Sequence, residues 1–317
     1  MVPPFIIFPS TAMPITLPPL TRRHWLKHTF AAGLATLSPR ALTAADSGAE
    51  SWVLFSDTHI AADPKLQARG VCMAENLARS INQVLALKQK PFGVILNGDC
   101  VYLQGLKEDY FTFVNLLTPL REASLPIHCT LGNHDDRKNF IGAMTGPEDN
   151  RPLEGRHVEA MSSAAVNWVL LDTLDQVNQT PGVLGAPQLG WLDRTLRNLP
   201  ERPTFVVAHH NPQGPVPEGK KPTGLADSDA MFKVLGAHKK VRAFIYGHTH
   251  TWEHTQHAAT GIHLINLPPV AYVFNPDRPN GWVLARIVGE AMEFELRSLN
   301  PNHEQHRQKV LIPFAAA

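Results

Sequence analysis

Asp57-Thr58-His59, Gly98-Asp99, Gly132-Asn133-His134-Asp135, His209-His210 and Gly247-His248-Thr249-His250 are five short islands of carboxylate, amide and imidazole donors. Mixed ligation of this kind accommodates manganese, iron, zinc or cobalt. In the D-x-H and H-x-H islands the donors stand at i and i+2, and extended backbone would throw both side chains to one side. Two such pincers, brought together by a sheet, can grip one cation from two directions. Asp99 and Asn133 follow apolar runs at 92–96 and 127–131. Each is therefore expected to present an oxygen at the carboxyl end of a strand, where open α/β sheets place their ligand crevices.

The series D-x-H, G-D, G-N-H-D, H-H and G-H-x-H, in this order, resembles the calcineurin-like metallophosphoesterase superfamily from about residue 51 to about residue 267. The resemblance implies a binuclear centre of divalent or trivalent transition metals. One ion would be held by Asp57, His59, Asp99 and His250, the other by Asp99, Asn133, His209 and His248, with Asp99 bridging. His209 is taken because the family's ligand is usually the first histidine of such a pair. Strand alternation across 205–210 would point His209 and His210 opposite ways and leaves either open. His134 resembles the family's non-ligand histidine, which reaches toward the scissile ester as general acid or as a donor to the developing charge. Asp135 and Asp136 are its candidate orienting partners. Asn133 and Arg137 are candidate substrate contacts, and Lys220 and Lys221 are further cations within reach of a phosphate.

Two carboxylates, four neutral imidazoles, one amide and a bridging hydroxide around two divalent cations leave about one net positive charge, which attracts a phosphoryl anion. Metal binding lowers the pKa of water from about 15.7 to about 7, so a hydroxide nucleophile is available near neutral pH. The expected substrate is a small-molecule phosphate ester. The string Gly132-Asn133-His134-Asp135-Asp136-Arg137 looks most like the cyclic-nucleotide and glycerophosphodiester phosphodiesterase branch, which favours diesters over monoesters. Gly98-Asp99-Cys100-Val101-Tyr102 lacks the G-D-x-V-D-R-G of protein serine/threonine phosphatases. Tyr102 stands where purple acid phosphatases place a metal-bound tyrosine, but those enzymes lack a histidine at the position of His59, so Tyr102 is read as packing or support. A monoesterase of the same superfamily and a catalytically silent binding module that keeps the metal cleft are the alternatives.

Composition bounds the rest. The chain has 317 residues, 44% hydrophobic and 18% charged, enough to bury a sizeable core. A formal net charge of +1, with no basic stripe, gives no nucleic-acid signature. Residues 1–45 read as an export signal and cleavage region, and 46–317 as the metallophosphoesterase domain. Thr21-Arg22-Arg23-His24-Trp25-Leu26-Lys27 resembles the twin-arginine signal, with Thr and Trp where Ser and Phe are usual. That resemblance implies an export machinery for folded proteins as partner and a bacterial periplasm as destination; Met13 is an alternative start. Of the three cysteines, Cys100 and Cys129 flank the expected metals and read as buried structural thiols.

The elements that must position these islands alternate strand and helix, with strands at 52–56, 92–96, 127–131, 167–172, 204–209 and 241–246. Helices are expected at 74–90, 110–121 and 186–199, and a further one after an N-cap at Ser228. Beyond residue 262 the pattern turns to strands, at 262–267, 282–288 and 292–297, with Gly289-Glu290 as a turn. The fold class is α/β, a four-layer αββα sandwich of two packed mixed β-sheets flanked by helices. Irregular segments at 140–159 and 211–226 are expected to shape access to the site.

Overall fold

Trp52 and Leu54 leave one face of the strand Ser51–Ser56 (β1) and Val53 and Phe55 the other, and each pair lies in a different apolar layer. This double burial is what a strand sandwiched between helices and a second sheet requires. The computed structural model describes residues 50–144 and 152–315. The export signal, with both candidate starts, lies outside the described residues.

After β1 come a small hairpin, β2 (Gln67–Ala68) and β3 (Val71–Cys72), then α1 (Met73–Leu85), β4 (Gly93–Asn97), α2 (Lys107–Leu116), α3 (Thr118–Glu122), β5 (Ile127–Thr130) and α4 (Arg137–Met144). The chain continues through β6 (Glu159–Ser162), β7 (Asn167–Leu170), α5 (Gly185–Asn198), β8 (Thr204–Val207), α6 (Ser228–Gly236) and β9 (Val241–Tyr246). It closes with β10 (Glu253–Gln256), β11 (His263–Asn266), β12 (Gly281–Val288), β13 (Ala291–Ser298) and β14 (Lys309–Pro313).

Among the described residues these strands build two six-stranded mixed sheets, ordered β14-β13-β12-β1-β4-β5 and β10-β11-β9-β8-β7-β6. β1, β4 and β5 run parallel, as do β11, β9, β8 and β7. The inner faces meet in one core containing Trp52, Trp168, Phe205, Ile245 and Phe294. Its rings form a chain, Trp52 to Trp168 at 5.5 Å, Trp168 to Phe205 at 5.2 Å and Phe205 to Phe294 at 5.8 Å between centroids. On the first sheet's outer face, Leu77, Ile81 and Val84 of α1 and Tyr110 and Phe113 of α2 share a core with Val53 and Phe55. The outer face of the second carries α5 and α6 through Leu192, Leu196, Met231 and Phe232. The expected sandwich of two sheets flanked by helices is therefore present.

Local departures have local causes. α1 ends at Leu85 rather than residue 90: Val84 is its last buried apolar residue, and Pro91 biases the residue before it away from helix. The helix expected at 110–121 is two, because Pro119 starts a new first turn after Leu117. It begins earlier, at Lys107, where the Asp109 carboxylate accepts the Leu106 N–H at 3.0 Å. Ser228 is the first residue of α6 and not its cap; the preceding Asp227 instead accepts the N–H groups of Leu184 and Gly185 at the start of α5. The segment assigned wholly to irregular structure at 140–159 contains the end of α4, whose first turn is held by the Asp136 carboxylate on the Asn139 N–H at 2.8 Å.

Candidate metal centre

β1, β4 and β5 are neighbours, and the residues just past their carboxyl ends are Asp57, Gly98-Asp99 and Leu131-Gly132-Asn133. β8 and β9 are neighbours in the other sheet and lead into Ala208-His209-His210 and Gly247-His248. Face-to-face packing of the sheets thus gathers all five islands at one edge of the sandwich.

The backbone that achieves this is not extended. Asp57, His59, Asp99, His248 and His250 all have positive φ, from 45° at Asp99 to 68° at His248. Non-glycine residues seldom adopt this conformation, at a cost of order 1–3 kcal/mol each, and clusters of them mark functional sites. Asp57 N–H donates to Gly98 O (3.2 Å) and His59 N–H to Asp99 O (2.9 Å), so the first two islands are stitched together. Paired left-handed residues, rather than strand alternation, turn the i and i+2 donors to one side. The glycine of the third island is equally required: a Cβ on Gly132 would collide with the Asp99 carboxylate and backbone nitrogen.

The donors fall into groups whose ligand atoms lie within 4.8 Å of one another: Asp57, His59 and His250; Asp99, His209 and His248; and His59, Asp99 and His134. His250 Nε2 is 3.3 Å from Asp57 Oδ1 and 3.1 Å from His59 Nε2. Asp99 Oδ2 lies between the groups, 3.3 Å from His209 Nε2 and 3.9 Å from both His59 Nε2 and His134 Nε2. Its other oxygen accepts the His134 N–H at 2.9 Å. Backbone carbonyls fix the rings: His209 Nδ1–H donates to Asn97 O (3.0 Å) and His250 Nδ1–H to Tyr272 O (2.5 Å), turning both Nε2 atoms inward. His210 turns Nδ1 to Thr173 Oγ1 at 2.7 Å and packs its ring against His248, whereas His209 is the member of the pair that reaches Asp99.

Metal ions fit this donor set. Among the described residues, Asp57 Oδ1, Asn133 Oδ1 and His209 Nε2 are buried with no hydrogen-bond partner, and an unmet buried polar atom is costly. Burial pushes the imidazoles of His59 and His248 down to about 3 and about 4, the neutral form a metal needs. Burial would lower His209 too, but the Asp99 and Asp57 carboxylates override it and push it up to about 10. Asp57 is itself held below the usual carboxylate range: burial raises it, and the His250 and His209 imidazoles more than offset that.

The donors open onto a cleft of about 390 Å³ bounded also by Thr180, Asn211, Thr223, Tyr272 and Phe274. His134 lines it, with Nδ1–H donating to Leu103 O at 3.0 Å and Nε2 left toward the cleft. Its orienting partner is that carbonyl and neither expected carboxylate. Asp135 accepts from Gly132 N–H, Cys100 N–H and the Tyr110 hydroxyl, tying islands together, and burial with the nearby Asp99 charge raises it to about 7. Arg137 does not line the cleft; its guanidinium is committed to Asp172 (2.7 and 3.1 Å) and to Leu174 O. Lys220 and Lys221 are exposed and also lie outside the cleft's walls. Cys100 and Cys129 are buried thiols outside the donor groups, and Tyr102 packs on the core of the first sheet. His254 pairs with His263 and His257 stacks on Phe232, so neither supports the site. Sequence reasoning missed Tyr272, Phe274 and the three orienting carbonyls. The aromatic pair at i and i+2 in a proline-flanked loop was a visible signal, whereas carbonyls carry none.

The model of the calcineurin-like phosphoesterase family matches residues 52–252, more than half of the chain. A 3',5'-cyclic adenosine monophosphate phosphodiesterase, CpdA, of Pseudomonas aeruginosa is 29% identical over 200 residues, 62% of this chain and 68% of the relative. A probable glycerophosphodiester phosphodiesterase, GpdQ, of Arcobacter nitrofigilis is 27% identical over 200 residues, 62% of this chain and 71% of the relative. A dimetal phosphatase from Danio rerio shares the fold with a TM-score of 0.64 at 16% identity, covering 84% of this chain and 99% of that one. Sequence match, sheet topology and a buried edge of metal-ready donors agree, and the chain belongs to the calcineurin-like phosphoesterase family as a metal-dependent phosphoesterase.

Proposed function

We propose that the protein hydrolyses a phosphodiester, with 3',5'-cyclic nucleotides as the favoured class, at a centre holding two transition-metal ions. The observation that carries this reading is the pair of separate donor groups, Asp57/His59/His250 and Asp99/His209/His248, with the Asp99 carboxylate between them. Asp57, His59, Asp99 and His250 would hold one ion, and Asp99, Asn133, His209 and His248 the other. The unpartnered Asn133 Oδ1 supports its inclusion. Manganese, iron and zinc all suit these donors. Such ions, when bound, supply Lewis-acid activation of water and neutralise charge on the phosphoryl group.

The chain's own groups do the rest. His134 is the catalytic histidine in this reading: Leu103 O holds Nδ1–H, so a protonated ring aims Nε2–H into the cleft, toward the leaving oxygen. The Asp99 carboxylate lies 3.9 Å from Nε2, so the ring stands beside the donor groups. The diester preference rests on Gly132-Asn133-His134-Asp135-Asp136-Arg137 and on the phosphodiesterase names of the curated relatives. Export through a twin-arginine route, to a periplasm, is part of the same proposal and is supported by the Arg22-Arg23 motif. A mature form absent from hosts lacking that route would support it.

The test is metal-dependent hydrolysis by the full chain with manganese, iron or zinc added. Turnover of 3',5'-cyclic AMP and bis-p-nitrophenyl phosphate with higher kcat/KM than p-nitrophenyl phosphate is expected. Turnover of the monoester alone would make the enzyme a phosphomonoesterase. No turnover of any ester would leave a metal-cleft binding module.

A further inference from the structure

We infer that Phe274, with Tyr272 behind it and Arg69 over it, is a stacking subsite for the nucleobase of a nucleotide substrate, and so a specificity-determining element. This rests on the phosphodiesterase reading and narrows it, because a glycerol-type leaving group has no ring to stack.

Phe274 lines the metal cleft and is 52% exposed, so its ring is open to a ligand there. It is held rigidly. One face lies on His250, with centroids 4.1 Å apart and planes 18° from parallel. The loop that carries it is pinned to the metal centre: Val270 N–H donates to Ser56 O (2.8 Å), Ala271 N–H to Asp57 O (3.1 Å), and Tyr272 O accepts from His250. A platform fixed to the proposed ligands sits at a set distance from the reacting phosphorus, as base recognition requires.

The guanidinium of Arg69 lies over Phe274, 4.9 Å from the ring centre, and 5.8 Å from that of Tyr272. Arg69 is exposed, stands at the tip of the β2–β3 hairpin with φ 49°, and makes no ion pair with a carboxylate among the described residues. A solvent-exposed cation–π contact is weaker than base–aromatic stacking, so a base displaces the guanidinium from the ring. The long side chain can then close on the outer face of the base, in a stack of Phe274, base and Arg69, and keep its charge near the phosphate. Thr180, Asn211 and Thr223 line the same cleft and offer hydroxyl and amide partners to the sugar and base edges. Aromatic and hydrogen-bonding groups thus share one cleft, as a site for a flat polar ring requires.

The experiment measures calorimetric binding of 5'-AMP and of ribose 5-phosphate to the manganese-loaded full chain, for wild type, Phe274→Leu and Phe274→Trp. Leucine keeps an apolar cover on His250 and removes the ring; tryptophan restores one. Manganese content of each variant, by elemental analysis, shows that the centre is intact. Wild type should bind 5'-AMP at least about 5-fold tighter than ribose 5-phosphate, within the range of base stacking. That ratio should fall to about 1 in Phe274→Leu and persist in Phe274→Trp. A wild-type ratio near 1, or a ratio untouched in Phe274→Leu, overturns the subsite even if diesters are hydrolysed. The expected ratios in a protein that hydrolyses no diester would uphold the subsite and reject the phosphodiesterase reading.

Discussion

Two polar clusters in this protein, each around a buried carboxylate, are built in opposite ways. At the end of the antiparallel half of the first sheet, Glu295, 2% exposed, lies 2.8 Å from Arg307 Nη1 and 3.0 Å from Arg297 Nε through one oxygen and 3.3 Å from Arg286 Nη2 through the other. Neither carboxylate oxygen is left over. At the parallel ends of both sheets the donors face one another with buried atoms unmet, on backbone that is strained at five of seven positions. In the first arrangement protein cations answer both carboxylate oxygens; in the second, the proposed metal ions would answer the unmet atoms. Buried polar groups therefore signal function when their unmet atoms share one point in space, and burial alone does not distinguish them.

Substitutions at the two clusters should separate accordingly, and the largest effect belongs to the proposed bridging carboxylate. Asp99→Ala should lose metal from both positions and abolish turnover, read by elemental analysis beside a diester assay; retention of two ions would remove Asp99 from the bridge. His134→Ala should keep its metal and lose about 10²- to 10⁴-fold in kcat, the range of acid-base groups. Unchanged kcat would exclude the ring from the chemistry. Glu295→Gln should do the reverse, leaving metal content and kcat alone while lowering stability by roughly 1–3 kcal/mol, as for a buried hydrogen-bonded charge. Urea denaturation measures that difference, and an equal loss of metal would show that the two clusters are coupled.

A smaller effect sharpens the contrast through pH. Burial raises the Glu295 carboxyl, but the Arg307 hydrogen bond and the charges of Arg297, Arg307 and Arg286 outweigh it and hold it below its usual 4.5. A depressed carboxyl stabilises the fold above its unfolded pKa and loses that contribution as pH falls through its folded value. The stability gap between wild type and Glu295→Gln should thus be constant above about pH 5 and shrink on acidification. A gap that grows toward low pH would mean that the arginines do not hold the ionised form.

The same contrast explains what was legible beforehand. Metal donors must be particular residue types at strand ends, so the proposed ligands Asp57, His59, Asp99, Asn133, His209, His248 and His250 stand out as islands, and the parallel strands that lead into them as apolar runs. The sandwich follows, because strands such as β1 are apolar on both faces. What was not legible depends on backbone or on distance. Left-handed φ at Asp57 and His250 leaves no mark on residue type, and the Leu103, Asn97 and Tyr272 carbonyls that set the rings are present in any residue. Arg137 suggested a phosphate contact by charge alone, whereas Asp172, 35 positions away, claims it. Phe274 sits in an irregular loop, where no periodicity exists to show that an aromatic ring faces a cleft rather than a core.

The central claim is tested most directly by anomalous diffraction from crystals of the full chain grown with manganese. Two peaks about 3.5–4 Å apart, both within coordination distance of the Asp99 carboxylate, are the expected result. A single peak, or two that do not share Asp99, would contradict the account.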